Sequence, residues 1–156
     1  MQTSHTTASA AATTSLARRI VAASWKPVLF AVATYLAAGA VGLPVFAGGT
    51  STLALVGPSA GFLFGFLPGV VAIALLRGKS DTSSFAAAAR TAGRYLLAAL
   101  VGGVVVVYAF GFVIQSALTG APLAAVALAS MGFVVGDAIK AVVASLAAAG
   151  LSKLGR

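Results

Sequence analysis

Long apolar runs, separated by short polar or glycine- and proline-containing segments, organise this sequence. Residues 27–47 carry no charged side chain and are long enough to cross a hydrocarbon core of about 30 Å at 1.5 Å per residue, so they predict a first transmembrane helix. Its end, Gly42, Leu43, Pro44, Val45, Phe46, Ala47, Gly48, Gly49, holds a proline and paired glycines that stop regular helix, and a loop is expected there. Residues 57–76 predict a second span. Gly57, Gly61, Gly65 and Gly69 recur every fourth position in it, which places them on one helix face suited to close backbone packing in lipid. Pro68 predicts a kink in that span.

Residues 95–114 predict a third span, anchored by Tyr95 and ending near Gln115 and Ser116. Tyr108 inside it bears a hydroxyl that needs a partner away from water. The apolar stretch at 121–151 would reach about 46 Å as one helix, too long for a simple crossing. Gly132 and Gly136 are the expected interruption, giving a short outer helix over 122–131 and a last span over 137–154, with Asp137 as its N-cap. No repeat of 20 to 50 residues is visible.

Composition turns this pattern into a fold class. Of 156 residues, 60% are hydrophobic and 8% charged, with a mean hydropathy of +1.07, whereas soluble domains carry roughly 25% charged residues to cover their surface. The chain reads as an all-α integral membrane protein of about four transmembrane helices. Residues 1–24, rich in Ser, Thr and Ala, read as a disordered polar tail, and 25–156 as one transmembrane domain.

The net charge of +8 is distributed in a way that speaks of orientation, not of nucleic acid. Arg18, Arg19 and Lys26 precede the first span; Arg77, Lys79, Arg90 and Arg94 fill the central connection; Lys153 and Arg156 close the chain. The connections near 47–57 and 115–121 hold no basic residue. By the positive-inside rule both termini and the central connection face the cytoplasm, which requires an even number of spans.

Little chemistry is available inside the apolar sequence. There is no cysteine, and the one histidine, His5, lies in the polar tail. Asp137 and Lys140 are the ionisable side chains within apolar sequence, and each costs roughly 2.5–3.5 kcal/mol at the centre of an isolated membrane helix. Their i,i+3 spacing puts them on one face, where they serve either as a structural ion pair or as a site for a small polar ligand carrying an anion. Catalysis is disfavoured by subtraction: no intramembrane histidine, no second acid, no metal ligands, and Ser145 five residues from Lys140 on another helix face. No phosphate-binding loop is present.

Three ordered stretches resemble the BioY family, the biotin-capturing membrane subunits of energy-coupling-factor importers. They are Tyr35, Leu36 through Gly42 to Gly49; Gly57, Pro58, Ser59, Ala60, Gly61, Phe62, Leu63 with Gly65 and Phe66; and Gly136, Asp137 with Lys140 and Ala141, with Tyr108 and Gly111 lying between the second and third. The resemblance covers about residues 26–150. It implies a plasma-membrane protein, without enzyme activity or cofactor, that binds biotin as its transported ligand and works with a transmembrane coupling protein and ATPase subunits.

Carried over residue by residue, the resemblance implies a pocket drawing on Gly48, Gly49, Gly57, Pro58, Ser59, Gly61, Asp137 and Lys140. Lys140 would meet the biotin carboxylate, and Asp137 would accept a hydrogen bond or orient Lys140. Family members usually have six helices, and the resemblance has this chain begin at what would be the third. Thr52, Gly132 and Val135 depart from the family pattern. The sequence therefore also admits an inactive remnant of a biotin transporter or a form assembled in pairs as a homo-oligomer. A small four-helix dimeric exporter is a further reading, although such exporters typically need an acid on the first helix and residues 27–47 have none.

Overall fold

The computed structural model describes residues 25–154, with side chains over 26–151; the tail expected at 1–24 lies outside them. Six α-helices occur among the described residues: α1 (Trp25–Ala40), α2 (Thr52–Val56), α3 (Ala60–Leu76), α4 (Phe85–Ala99), α5 (Val107–Thr119) and α6 (Leu123–Leu154). A wider π-helical segment, Leu100–Val106, joins α4 to α5 without a break, so one helical rod of 35 residues runs from Phe85 to Thr119. No strand occurs among the described residues beyond an isolated bridge between Phe46 and Thr50.

Several helix bounds differ from those the sequence predicts, each for a local reason. The first helix stops at Ala40 and not at 47, because Gly42 adopts φ +96° and Pro44 follows it. The second begins at Ala60, since Gly57 instead caps α2 by donating its N–H to Leu53 O at 2.9 Å. The third starts ten residues before Tyr95, at Phe85, where the Ser84 hydroxyl accepts from Ala87 N at 3.2 Å and caps α4. The connection before it is pinned to α4: Thr91 Oγ1 donates to Asp81 O at 2.6 Å, and the Arg94 guanidinium donates to Lys79 O at 2.8 Å.

The largest correction concerns the C-terminal stretch. The predicted outer helix at 122–131 and the span at 137–154 are one unbroken helix of 32 residues, about 48 Å long, and Asp137 lies in its middle, not at an N-cap. Gly132 and Gly136 do not interrupt it. A glycine costs a helix only about 1 kcal/mol relative to alanine, less than the several kcal/mol of leaving backbone groups unpaired in lipid.

Two rods, Phe85–Thr119 and Leu123–Leu151, are long and apolar enough to cross a membrane, and two shorter apolar helices, Lys26–Ala40 and Ala60–Leu76, accompany them. The helices lie side by side in the order α1, α3, α4 with α5, and α6; α6 approaches α4 and α5 but neither α1 nor α3. The glycine face of α3 forms the central contact. A methyl group on Gly61 would sit 2.5 Å from Phe110 O, on Gly65 3.0 Å from Val107 Cα, and on Gly69 2.7 Å from Gly102 O, so the two backbones meet where no side chain intervenes.

Candidate ligand-binding site

The loop after α1 is shaped by its glycines. Gly48 and Gly49 have φ of +72° and +71°, a left-handed conformation that side-chain-bearing residues disfavour. The turn closes where Phe46 N donates to Thr50 O at 3.1 Å and Gly49 N to Phe46 O at 3.0 Å. It folds the Phe46 ring back onto α1, where it lies on Gly39 and meets Tyr35 edge-on at 5.0 Å between centroids. Thr52 Oγ1 secures the base of the loop by donating to Ala40 O at 3.1 Å and Gly39 O at 3.3 Å, carbonyls of the last turn of α1.

This loop, α2, the start of α3, the end of α5 and the first half of α6 surround a cavity of about 570 Å³, within the range of small-molecule sites. Its apolar walls include Phe46, Ala54, Phe62, Leu63 and Phe133, and its polar ones Thr50, Ser59, Gln115 and Ser130. Among the described residues, no charged side chain lines it.

Of the residues the sequence nominates, Pro58 and Ser59 line this cavity, and Gly48 and Gly49 shape the turn between two lining residues, Ala47 and Thr50. Gly57 and Gly61 stand apart from the lining: the first caps α2 and the second packs on α5. Asp137 and Lys140 lie farther along α6, Asp137 one turn beyond the lining residue Phe133.

Asp137 is the hub of a small polar network. Its Oδ2 accepts from the Tyr108 hydroxyl at 2.7 Å, and its Oδ1 accepts from Lys140 Nζ at 3.0 Å. Tyr108, 7% exposed, thereby finds the partner its hydroxyl requires. The two members of the ion pair differ in setting, the Lys140 side chain being 80% exposed and that of Asp137 34%. Phe62, Tyr108 and Phe112 form three mutual edge-to-face contacts with centroids 5.5–6.1 Å apart. Because Phe62 also lines the cavity, the cavity and the Asp137 network are packed against one another through aromatic rings.

Sequence reasoning missed Gln115 and Ser130 as cavity residues. Gln115 is read from sequence as the end of a span, and a single serine in an apolar helix gives no signal of its own. Their common feature, a polar side chain brought to one level by antiparallel helices, depends on the register between helices.

Comparisons with known proteins agree with this architecture. Residues 10–156 match the BioY family. The biotin transporter BioY of Thermotoga maritima is 42% identical over 127 residues, 80% of this chain and 68% of that protein; that of Rhodobacter capsulatus is 35% identical over 138 residues, 82% and 69%. The Rhizobium etli biotin transporter BioY is 39% identical over 108 residues. That match spans 69% of this chain but little more than half, 57%, of the relative. Among solved structures, the S-component for biotin from an ECF-type ABC transporter superposes with a TM-score of 0.70 at 20% identity, covering 98% of this chain and 95% of that one. That likeness establishes the same fold. With a family match over nearly the whole sequence and a shared membrane-protein fold, the chain belongs to the BioY family.

Proposed function

We propose that this protein captures biotin at the plasma membrane, as the substrate-binding subunit of an energy-coupling-factor type importer. The observation that carries the reading is the mixed apolar and polar cavity of about 570 Å³ beside the Asp137, Lys140 pair, in a chain of the BioY family. Biotin has a bulky bicyclic end and a flexible acid chain. The cavity suits the first, and an exposed ammonium on the same helix suits the second. Lys140 lies seven residues beyond Phe133, about 10 Å along α6, and binds the carboxylate; Asp137, held by Tyr108, orients Lys140.

In this reading the chain crosses the membrane four times with both termini in the cytoplasm, as the basic residues of the connection between α3 and α4 favour. α1 and α3, with 16 and 17 residues, reach about 24–26 Å as helix, and the loop at 41–51 together with α2 completes the depth of the layer. Energy for uptake comes from a transmembrane coupling protein and ATPase subunits. The protein itself carries no enzyme activity, and biotin is its ligand and not a cofactor.

The deciding experiment is equilibrium binding of labelled biotin to the chain purified in detergent, alongside Lys140→Ala. Saturable binding that Lys140→Ala weakens about tenfold or more, roughly 1.4 kcal/mol, is the expected result. A well-folded sample that binds no biotin refutes the proposal.

A further inference from the structure

Far from the ligand cavity, at the other end of α3, an apolar crevice opens beside a cluster of basic residues. α1 and α3 run antiparallel: Leu36 and Leu63 belong to one buried cluster, with Val32 and Phe66 packed against it. Farther along the same pair of helices, Val28 of α1 and Val70, Ile73, Ala74 and Arg77 of α3 and its cap line a crevice of about 80 Å³. Val28 is 51% exposed, so the crevice is open to the outside of the bundle. Its volume is far below the roughly 300–1,000 Å³ of sites that enclose small molecules, and its walls are apolar apart from Arg77. Those dimensions suit a stretch of hydrocarbon chain.

The connection after α3 holds the basic residues together. Gly78 turns the chain with φ +60°, and the Arg94 guanidinium, reaching across from α4, donates to Lys79 O at 2.8 Å. It lies so close to the turn that a methyl group on Gly78 would sit 2.9 Å from it. Arg94 is thereby fixed against the two residues that follow Arg77. Lys79 is exposed, as are Arg90, one turn from Arg94, and Lys26, at the start of α1. Five basic residues at this end stand against a single acid, Asp81, whose carboxylate accepts from Ser83 N at 3.0 Å. The depth is that of lipid headgroups. Tyr95 to Thr119 alone spans about 37 Å as helix, more than the hydrocarbon core of about 30 Å, so Arg90 and Arg94 lie beyond that core.

We infer that this end of the bundle binds an anionic phospholipid, with an acyl chain in the crevice between α1 and α3 and the headgroup phosphate at Arg77, Lys79 and Arg94. Arg77 joins the two halves of the site. An alkyl stem lies well beside hydrocarbon, and a guanidinium brings five N–H donors in a fork that matches phosphate oxygens. Like charges held together by the Arg94 to Lys79 bond repel one another, and a bound phosphate offsets that repulsion. Basic pockets between membrane helices recognise anionic headgroups for this reason. A zwitterionic lipid fills the crevice equally well and gains less from the cluster, because its own cation offsets its phosphate. The site lies away from the cavity bounded by Pro58, Ser59 and Phe62 and does not depend on which ligand that cavity takes.

The test is native mass spectrometry of the full chain in detergent, supplied with equal amounts of phosphatidylglycerol and phosphatidylcholine that carry the same acyl chains. The unaltered chain is expected to retain phosphatidylglycerol about tenfold more. Arg77→Gln and Lys79→Gln each reduce that preference several-fold, and Ala74→Phe, which fills the crevice, lowers retention of both lipids. Lys79 is exposed, so Lys79→Gln keeps the test decisive if Arg77→Gln disturbs folding. Inorganic phosphate in large excess is expected to leave the lipid bound; displacement would mean that the cluster reads the anion alone, and the lipid is overturned. Equal retention of the two lipids by the unaltered chain refutes the proposal, since the crevice then takes some other occupant. A preference that survives both charge variants also refutes it, because the net charge of the chain would be its source. Unchanged retention in Ala74→Phe overturns the placement of the acyl chain between α1 and α3.

Discussion

Tyr108 and Asp137, 29 residues apart in sequence, are joined by a 2.7 Å hydrogen bond from the phenol to the carboxylate. The bond crosses from α5 to α6 at the place where the ion pair with Lys140 and the Phe62, Tyr108, Phe112 ring cluster meet. It pairs a carboxylate that an apolar environment would otherwise leave expensive, and it sets the register on which the cavity depends.

Tyr108→Phe therefore lowers stability by about 1 kcal/mol, the scale of side-chain hydrogen bonds between membrane helices. Unfolding midpoints in detergent for Tyr108→Phe, Asp137→Asn and the double variant measure it. The expected cycle is non-additive, with a coupling of about 0.5–1.5 kcal/mol; additive effects would mean that the two groups do not interact.

Gly69→Ala forces a methyl group to within 2.7 Å of Gly102 O, and the backbones of α3 and the π-helical segment must separate. A loss of about 1–3 kcal/mol is expected. Gly103→Ala, one residue along from that contact and with open space at its Cβ position, is the control, and its stability should hold or rise. Equal behaviour of the two variants would contradict the packing.

Gly132→Ala and Gly136→Ala distinguish an unbroken α6 from an interrupted one. Both positions have nothing within 4 Å of the added carbon, so in a continuous helix each substitution stabilises by up to about 1 kcal/mol. Thermal unfolding of the two variants checks this, and a clear loss at either would point to a bend that glycine permits.

Lys140→Met separates ligand contact from structure. The side chain is 80% exposed and Asp137 keeps its bond from Tyr108, so the unfolding midpoint is expected to shift less than that of Asp137→Asn, which breaks both bonds. Biotin affinity should fall about tenfold or more. A variant that unfolds earlier and binds normally would assign the pair a structural role instead.

Much of the helical layout was legible because lipid imposes long apolar runs and punishes charge. The glycine stripe of the second predicted span announced a close helix contact, which Gly61, Gly65 and Gly69 make with α5 and the π-helical segment. Tyr108 announced the need for a partner, though not that Asp137 supplies it. Gly57 fitted the same period yet serves as a cap, since periodicity does not reveal where a helix starts. Gly132 and Gly136 misled because glycine allows a break without requiring one. The π-helical segment, Leu100–Val106, is uniformly apolar and carries no pattern that sets it apart from α-helix. Gln115 and Ser130 became meaningful only once the antiparallel register was known.

The unbroken course of α6 makes it a lever. The residues that line the cavity near its start and those that follow Lys140 toward its end belong to one unbroken helix, so a rigid tilt of α6 about its middle that moves Phe133 outward carries the C-terminal end the opposite way.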